Sequence, residues 1–273
     1  MRAMSTIQLL EIAGLVGLIP FSLAALRGQL DRPIVFWLLW LVAATGACAV
    51  VWHLTASGWQ AGLVATLWVV IAATLLIYAL IVAANRVAVG LAALLGPYLL
   101  LVACLAGIAG WVAAPEASAA TSVPWFTIHI MLAVGSYSLM TITAIAAVAI
   151  VLQERAMKQR RQGWVMRRLP AIAAAENLQR RLLWLAAITM GFALASGLAN
   201  EFMDTGHLLM VPHQMAHKIL LSVLAFVVIL VFLVLHQATG LRGRLAARWL
   251  MTGYLLLTLA YPGVKFVRDV LLG

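Results

Sequence analysis

The sequence predicts an all-α polytopic membrane protein, a bundle of eight transmembrane helices with both termini outside. Three observations predict it. The chain is 65% hydrophobic and only 10% charged, with a mean hydropathy of +1.07, far more apolar surface than a soluble globular chain carries. The apolar runs are long and continuous, where a barrel would alternate. Lysine and arginine fall between the runs, and on alternate sides.

The eight spans read as 5–26, 33–54, 61–84, 87–113, 124–152, 178–200, 213–238 and 245–270. The first has the length of a signal peptide, but Glu11 interrupts its apolar centre and Arg27 and Arg32 follow it, so it reads as a span. The longest hydrophilic stretch is 153–177, too short for a soluble domain, so residues 1–273 read as a single integral membrane domain. Of 18 basic residues, 14 fall on one side and Arg2, Lys218, Lys265 and Arg268 on the other. The richer side is expected to be cytoplasmic, in a bacterial inner membrane. The net charge of +10 is thereby assigned to orientation, and no nucleic-acid partner is expected. Trp164, Val165, Met166 and Leu169 among the arginines of the fifth loop suit a segment on an anionic leaflet. A plain positive-inside anchor is favoured over that. Cys48 and Cys104 lie inside apolar runs without C-x-x-C spacing and read as small buried hydrophobes.

The seventh span carries the chemistry. Its centre, Ile219 to Leu235, is 17 residues with only Ser222 polar. His213 and His217 sit four apart at one end, and His236 lies 19 residues beyond His217. At helical rise that is about 28 Å, most of the membrane thickness. With the orientation fixed, His53 closes span two at the outer face, and His129 and His217 each lie about a turn inside it. All three are expected at one level. Two histidines on facing helices can take both axial positions of a haem, and an apolar bundle suits a porphyrin. A histidine at a helix end can equally sit in the interface or bond a neighbouring helix. His207 and His213 read as solvated, and His236 stands alone on its side. Ser136 shares the face of His129, with Tyr137 one position round; either orients a ligand or bonds between helices. Glu11 reads as a protonated or hydrogen-bonded carboxyl, a proton-path element or a partner for a cation. No phosphate loop, Ser-His-Asp order or H-E-x-x-H motif is present.

Three stretches carry a resemblance. FTIHIMLAVGSYSLM places His129 seven residues before Ser136, which Tyr137 follows, RRLPAIAAAENLQRR carries Leu169, Pro170, Glu176 and Leu178, and AHKILLSVLAFVVILVFLVLHQATGLRGR carries His217-Lys218, His236 and the turn Gly240-Leu241-Arg242-Gly243. In order and spacing, residues 33–270 resemble the cytochrome c assembly membrane proteins (the CcsA/CcmC superfamily), and within them the small eight-span HemX/YpjD-like branch. The match is strongest from 124 onward. The resemblance implies haem handling at the outer membrane face. It implies His129 as the iron ligand, with His217 or His53 opposite, and haem b as the cofactor. Lys218 is the nearest fixed charge to His217 and the candidate propionate contact.

Two departures bear on activity. The loop from Asn200 to His213 has no tryptophan where the ligating branches carry W-G-x-x-W-x-W-D, and no histidine follows the last span. The expected function is therefore a non-enzymatic haem-binding or haem-relay protein that assists cytochrome c or haem-protein assembly. Its expected partners are the lipid bilayer, haem and other cytochrome-assembly or transport membrane proteins. The alternative is an accessory subunit of a cation or small-molecule transporter, its outer histidines binding a metal ion or serving structure.

Overall fold

A computed structural model describes residues 6–56, 62–112, 124–160, 163–205, 213–241 and 243–271, with the side chains of 112, 124, 201–218 and 271 outside the description. Every long element is a helix, and no strand occurs among the described residues. The spans are α1 (Thr6–Arg27), α2 (Pro33–Thr55), α3 (Leu63–Ala84), α4 (Ala92–Val112), α5 (Pro124–Lys158), α6 (Ile172–Thr205), α7 (His213–Thr239) and α8 (Gly243–Thr258). All eight are apolar and long enough to cross a membrane, α4 with the 3-10 turn Arg86–Leu91 before it and α8 with the turns that follow it. The chain is a multi-pass membrane protein.

Local chemistry sets the ends. Gly28 takes a left-handed conformation after α1, and Pro33 opens α2, where its missing N–H costs nothing. The Asn85 side chain accepts from Val87 N at 3.1 Å and turns the chain into α4. Two spans overrun the apolar pattern. α5 continues past Leu152 to Lys158 and α6 begins at Ile172 instead of 178. Glu154-Arg155-Ala156-Met157-Lys158 and Ala173-Ala174-Ala175-Glu176 are strong helix formers, so the helices outlast the hydrocarbon they cross. Beyond Thr258 the last span widens into a π-helical turn (Leu259–Gly263), one α-turn (Val264–Phe266) and a second π-turn (Val267–Leu271). Pro262 lacks the N–H that an α-turn would use there.

The helices form two groups. In the first, α1 packs on α2 and α4, while α3 closes against α2 and α4. Small residues let these backbones approach: a Cβ on Gly46 would stand 3.2 Å from Gly14 Cα, and one on Gly96 would stand 3.0 Å from Ser22 Cα. Phe21, Phe36, Trp68 and Tyr78 fill the space between, fully buried, and the Tyr78 hydroxyl donates to the Ala88 carbonyl at 2.8 Å. Glu11 is buried here beside Gly110 and makes no hydrogen bond or ion pair to another described residue. In the second group α5 is the hub. It packs along α6 and against α8, α7 leans on α8, and α3 joins α5 to the first group. α7 is the least covered span, with Leu220, Leu224, Val227, Leu230 and Val234 exposed, as a helix facing lipid requires.

One end of the bundle carries the arginine-rich turns and is called the basic end. There the Gln153 side chain donates to the carbonyls of Leu169 and Pro170 at 3.0 and 2.7 Å, pinning the Leu-Pro turn. Arg168 lies 3.9 Å from Asp31, an exposed pair that contributes little. The opposite end, where α5 and α7 begin, is called the distal end.

Candidate functional site

A cavity of about 280 Å³ opens at the distal end among α5, α6, α7 and the π-turn of α8. Helical spacing assembles it. α5 contributes Phe126, His129, Ala133 and Ser136, each three or four residues from the last, and Tyr137, four after Ala133. α6 faces it with Ala193, Gly197 and Asn200, α7 with Ile219, Ser222 and Val223, and α8 with Leu257 and Tyr261. The lining is largely apolar, with one imidazole and two phenols. Its volume is just under the roughly 300–1,000 Å³ of ordinary ligand pockets. Asn200 and Ile219 mark its edge, next to the residues whose side chains lie outside the description.

His129 is the centre of it. Its Nδ1 stands 3.0 Å from the Ala193 carbonyl and 3.0 Å from Ser196 Oγ. A carbonyl only accepts. The Ser196 hydroxyl already donates to that same carbonyl at 2.9 Å, so it too accepts from the ring. Both contacts require the proton on Nδ1, which leaves the lone pair of a neutral imidazole on Nε2. Nε2 makes no hydrogen bond among the described residues. A carbonyl behind a histidine fixes tautomer and ring orientation in just the way metal-ligating histidines require. The ring also packs closely against α6: a Cβ on Gly197 would stand 2.8 Å from His129 Cε1 and 3.3 Å from Nδ1. A side chain there would force the imidazole to shift.

Behind the cavity runs a polar seam. Tyr137 is buried, and its hydroxyl lies 3.2 Å from Thr258 Oγ1, which itself donates to the Tyr254 carbonyl. The Tyr137 ring stands 5.8 Å from those of Tyr254 and Tyr261. Tyr254 and Tyr98 share a hydrogen bond of 2.6 Å, and Thr141 donates to Tyr254 at 3.2 Å. Four of the five tyrosines of the chain thus meet between α4, α5 and α8. Tyr254 and Tyr261, seven apart on one helix face, were a signal for this in the sequence. A reading centred on histidines passes over them, as it does Ser196 and Gly197.

The structure brings together some of the expected residues. Ser136 and Tyr137 line the same cavity as His129, but Ser136 Oγ donates to Ala133 O of its own helix at 2.9 Å. His53 ends α2 with its side chain exposed, and α2 packs chiefly on α1 and α3, so His53 is not brought to this cavity. His217 and Lys218 belong to the first turns of α7, and their side chains lie outside the described residues. His207 lies outside the described residues, as does the side chain of His213. His236 sits at the basic end, its Nδ1 2.6 Å from the Leu241 carbonyl. A smaller cavity of about 30 Å³ adjoins it, lined also by Glu176, Gln179 and Arg180. Among the described residues, no three His, Cys, Asp or Glu side chains gather into a metal-binding group.

The site is thus an apolar slot in a helical membrane bundle, with one histidine whose tautomer is fixed by its neighbours. The chain belongs to the cytochrome c assembly protein family, whose pattern matches residues 32–272. Membership places its role in cytochrome c biogenesis, and proteins of this family are generally linked to haem. The chain is 42% identical over 256 residues to an uncharacterised 28.8 kDa protein in the nifR3-like 5′ region of Azospirillum brasilense, covering 93% of this chain and 92% of that one. No solved structure matches it.

Proposed function

We propose that this chain binds haem b in the distal cavity and holds or relays it during cytochrome c assembly, without attaching it to protein. The observation that carries the reading is the His129 arrangement, with Nδ1 committed to α6 and Nε2 making no hydrogen bond among the described residues, beside an apolar slot. The residues present fit a porphyrin better than a bare metal ion. A porphyrin supplies four nitrogens of its own and asks one or two ligands of the protein, whereas an ion held by side chains needs three or four. Phe126, Met190, Leu194 and Leu257 offer the apolar walls that a macrocycle needs. A bound haem supplies the redox-active iron and the vinyl groups. The chain supplies the ligand atom, the orientation of the imidazole and the exclusion of water. His217 and Lys218, at the start of α7, remain the residues proposed to meet the ligand from the facing helix.

Absorption spectra of the detergent-purified protein, reduced minus oxidised, test the reading. A Soret band with reduced α and β bands is expected; colourless protein from haem-replete cells overturns it. Co-expression with a c-type apocytochrome, in a host without its own maturation system, is expected to give no covalent cytochrome. The loop 200–213 has no indole to present a haem edge to incoming thiols, and haem attachment dependent on this protein would overturn the non-enzymatic part.

The proposed setting is a bacterial inner membrane, with the basic end in the cytoplasm and the distal cavity outside, from the asymmetry of 14 basic residues against four. Trp164 is exposed at the basic end. In a background lacking Cys48 and Cys104, Trp164→Cys is expected to escape a membrane-impermeant thiol reagent in intact cells. Labelling there would invert the topology and move the cavity to the cytoplasmic side.

A further inference from the structure

α6 and α7 are neighbours in the chain and run in opposite directions, but α7 packs chiefly on α8. Toward the basic end α6 and α7 meet where Phe226 lies against Gly191: a Cβ on that glycine would stand 3.4 Å from Phe226 Cζ. Nearer the distal end they part around the cavity, which Leu194 and Leu198 line from α6 and Ile219 and Val223 from α7. Leu198 and Val223 are also exposed, with 43% and 39% of their surface open. By helical period Leu198 continues the exposed stripe of Ile188, Phe192 and Ala195, and Val223 belongs to that of Leu220, Leu224 and Val227. In a bilayer those stripes face lipid. A side chain that belongs both to a lipid-facing stripe and to the cavity wall stands at a rim, so the slot opens sideways between α6 and α7. The α8 wall, by contrast, is fastened to α3 beyond Tyr261: Lys265 Nζ donates to Thr66 Oγ1 at 2.5 Å, and Asp269 accepts from Leu63 N at 2.9 Å.

The rim is hydrocarbon on both helices, and among the described residues the cavity lining holds no charged side chain. A porphyrin is mostly hydrocarbon and gathers in a bilayer. One already dissolved there passes such a rim from one apolar phase to another, with no polar group of the protein to desolvate on the way. Gly197, against which the His129 imidazole packs, is next in the chain to Leu198, so the imidazole lies close behind the opening. We propose that haem reaches His129 laterally from the hydrocarbon of the bilayer, through the gap between α6 and α7 rimmed by Leu198 and Val223. This rests on the haem reading above and adds to it the phase from which the ligand comes and the route it takes. Phe226 against Gly191 bounds the gap toward the basic end.

The test bridges the gap and times the uptake of haem b by the full chain in lipid vesicles, from the growth of the Soret band. In a background lacking Cys48 and Cys104, Leu198→Cys with Val223→Cys is bridged by a flexible bifunctional thiol reagent that a reductant removes. The reference is the same protein after reduction. Bridging is expected to slow uptake about tenfold or more, a change within the range open to association rates. Release of haem loaded before bridging is expected to slow by the same factor, and reduction to restore both. Uptake by the bridged protein as fast as by the reduced one overturns the route. Should the reduced first pair bind no haem, Ala195→Cys with Leu220→Cys decides in the same way, because both residues are exposed and lie outside the cavity lining. Wild type that takes up no haem overturns the haem reading and this proposal with it, whereas a bridge without effect in a protein that binds haem leaves that reading standing.

Discussion

His129→Ala is expected to abolish the Soret band or move it to the position of unligated haem, while the protein still inserts and purifies in similar yield. The imidazole is half-buried at the mouth of a cavity, and its removal enlarges a space that is already open. The cost to stability is therefore small beside a truncation in the close-packed core. Ser196→Ala separates ligation from positioning. It leaves Nε2 in place and removes one of the two acceptors at Nδ1, a loss of about 1 kcal/mol. Haem retained with a weaker affinity and a shifted spectrum is the expected result. His217→Ala is expected to change the spectrum less than His129→Ala does. A His129→Ala protein with the wild-type spectrum would remove this residue from the site altogether.

Gly197→Leu is expected to match the loss of His129 without touching a ligand. A Cβ at this position would stand 2.8 Å from Cε1 of the imidazole, and three further carbons leave the ring nowhere to lie against α6. The contacts of Nδ1 to Ala193 and Ser196 then break together. Overpacking of this kind costs about 1–3 kcal/mol. Leucine recovers part of that, because glycine inside a helix is about 1 kcal/mol worse than a good helix former. The variant should thus fold and fail to hold haem, and Gly197→Ala should fall between it and wild type. Haem titrations with thermal unfolding on the same samples check both halves. Gly197→Leu binding haem as tightly as wild type would show that the orientation of His129 against α6 does not matter.

The sequence makes the membrane architecture legible because burial in lipid leaves little choice. Runs such as Ile219–Leu235 have to be helices, since no water in the bilayer satisfies their backbone groups. Their ends are less legible at the basic end, where α5 and α6 are carried beyond the apolar pattern by helix propensity. The candidate site was legible at His129, Ser136 and Tyr137, which share one helix face. The grouping of histidines was not. Depth along the membrane can be read from rise per residue, but lateral position depends on which helices pack together, and α2 packs chiefly on α1 and α3. The seam of Tyr98, Tyr137, Tyr254 and Tyr261 was hidden for the same reason. Its members come from three helices and meet only through packing. The π-turn at Leu259–Gly263, which sets Tyr261 on the cavity, has Pro262 as its sequence mark, and a proline in an apolar run reads as a kink as readily as a π-turn.

The contact between Asp269 and the start of α3 has a temporal side. The carboxylate that satisfies Leu63 N comes from a residue 206 positions later in the chain. A ribosome adding about 5–20 residues per second needs roughly 10–40 s to cover that distance. During that interval α3 waits with its first amide unpaired and Thr66 without its lysine. The third span is finished only once the last span has been made, so a nascent chain arrested before Lys265 carries a half-built distal face. The distal face thereby carries a check on its own completeness. The slot acquires its last wall from the same few residues that close α3, and a truncated product lacks both.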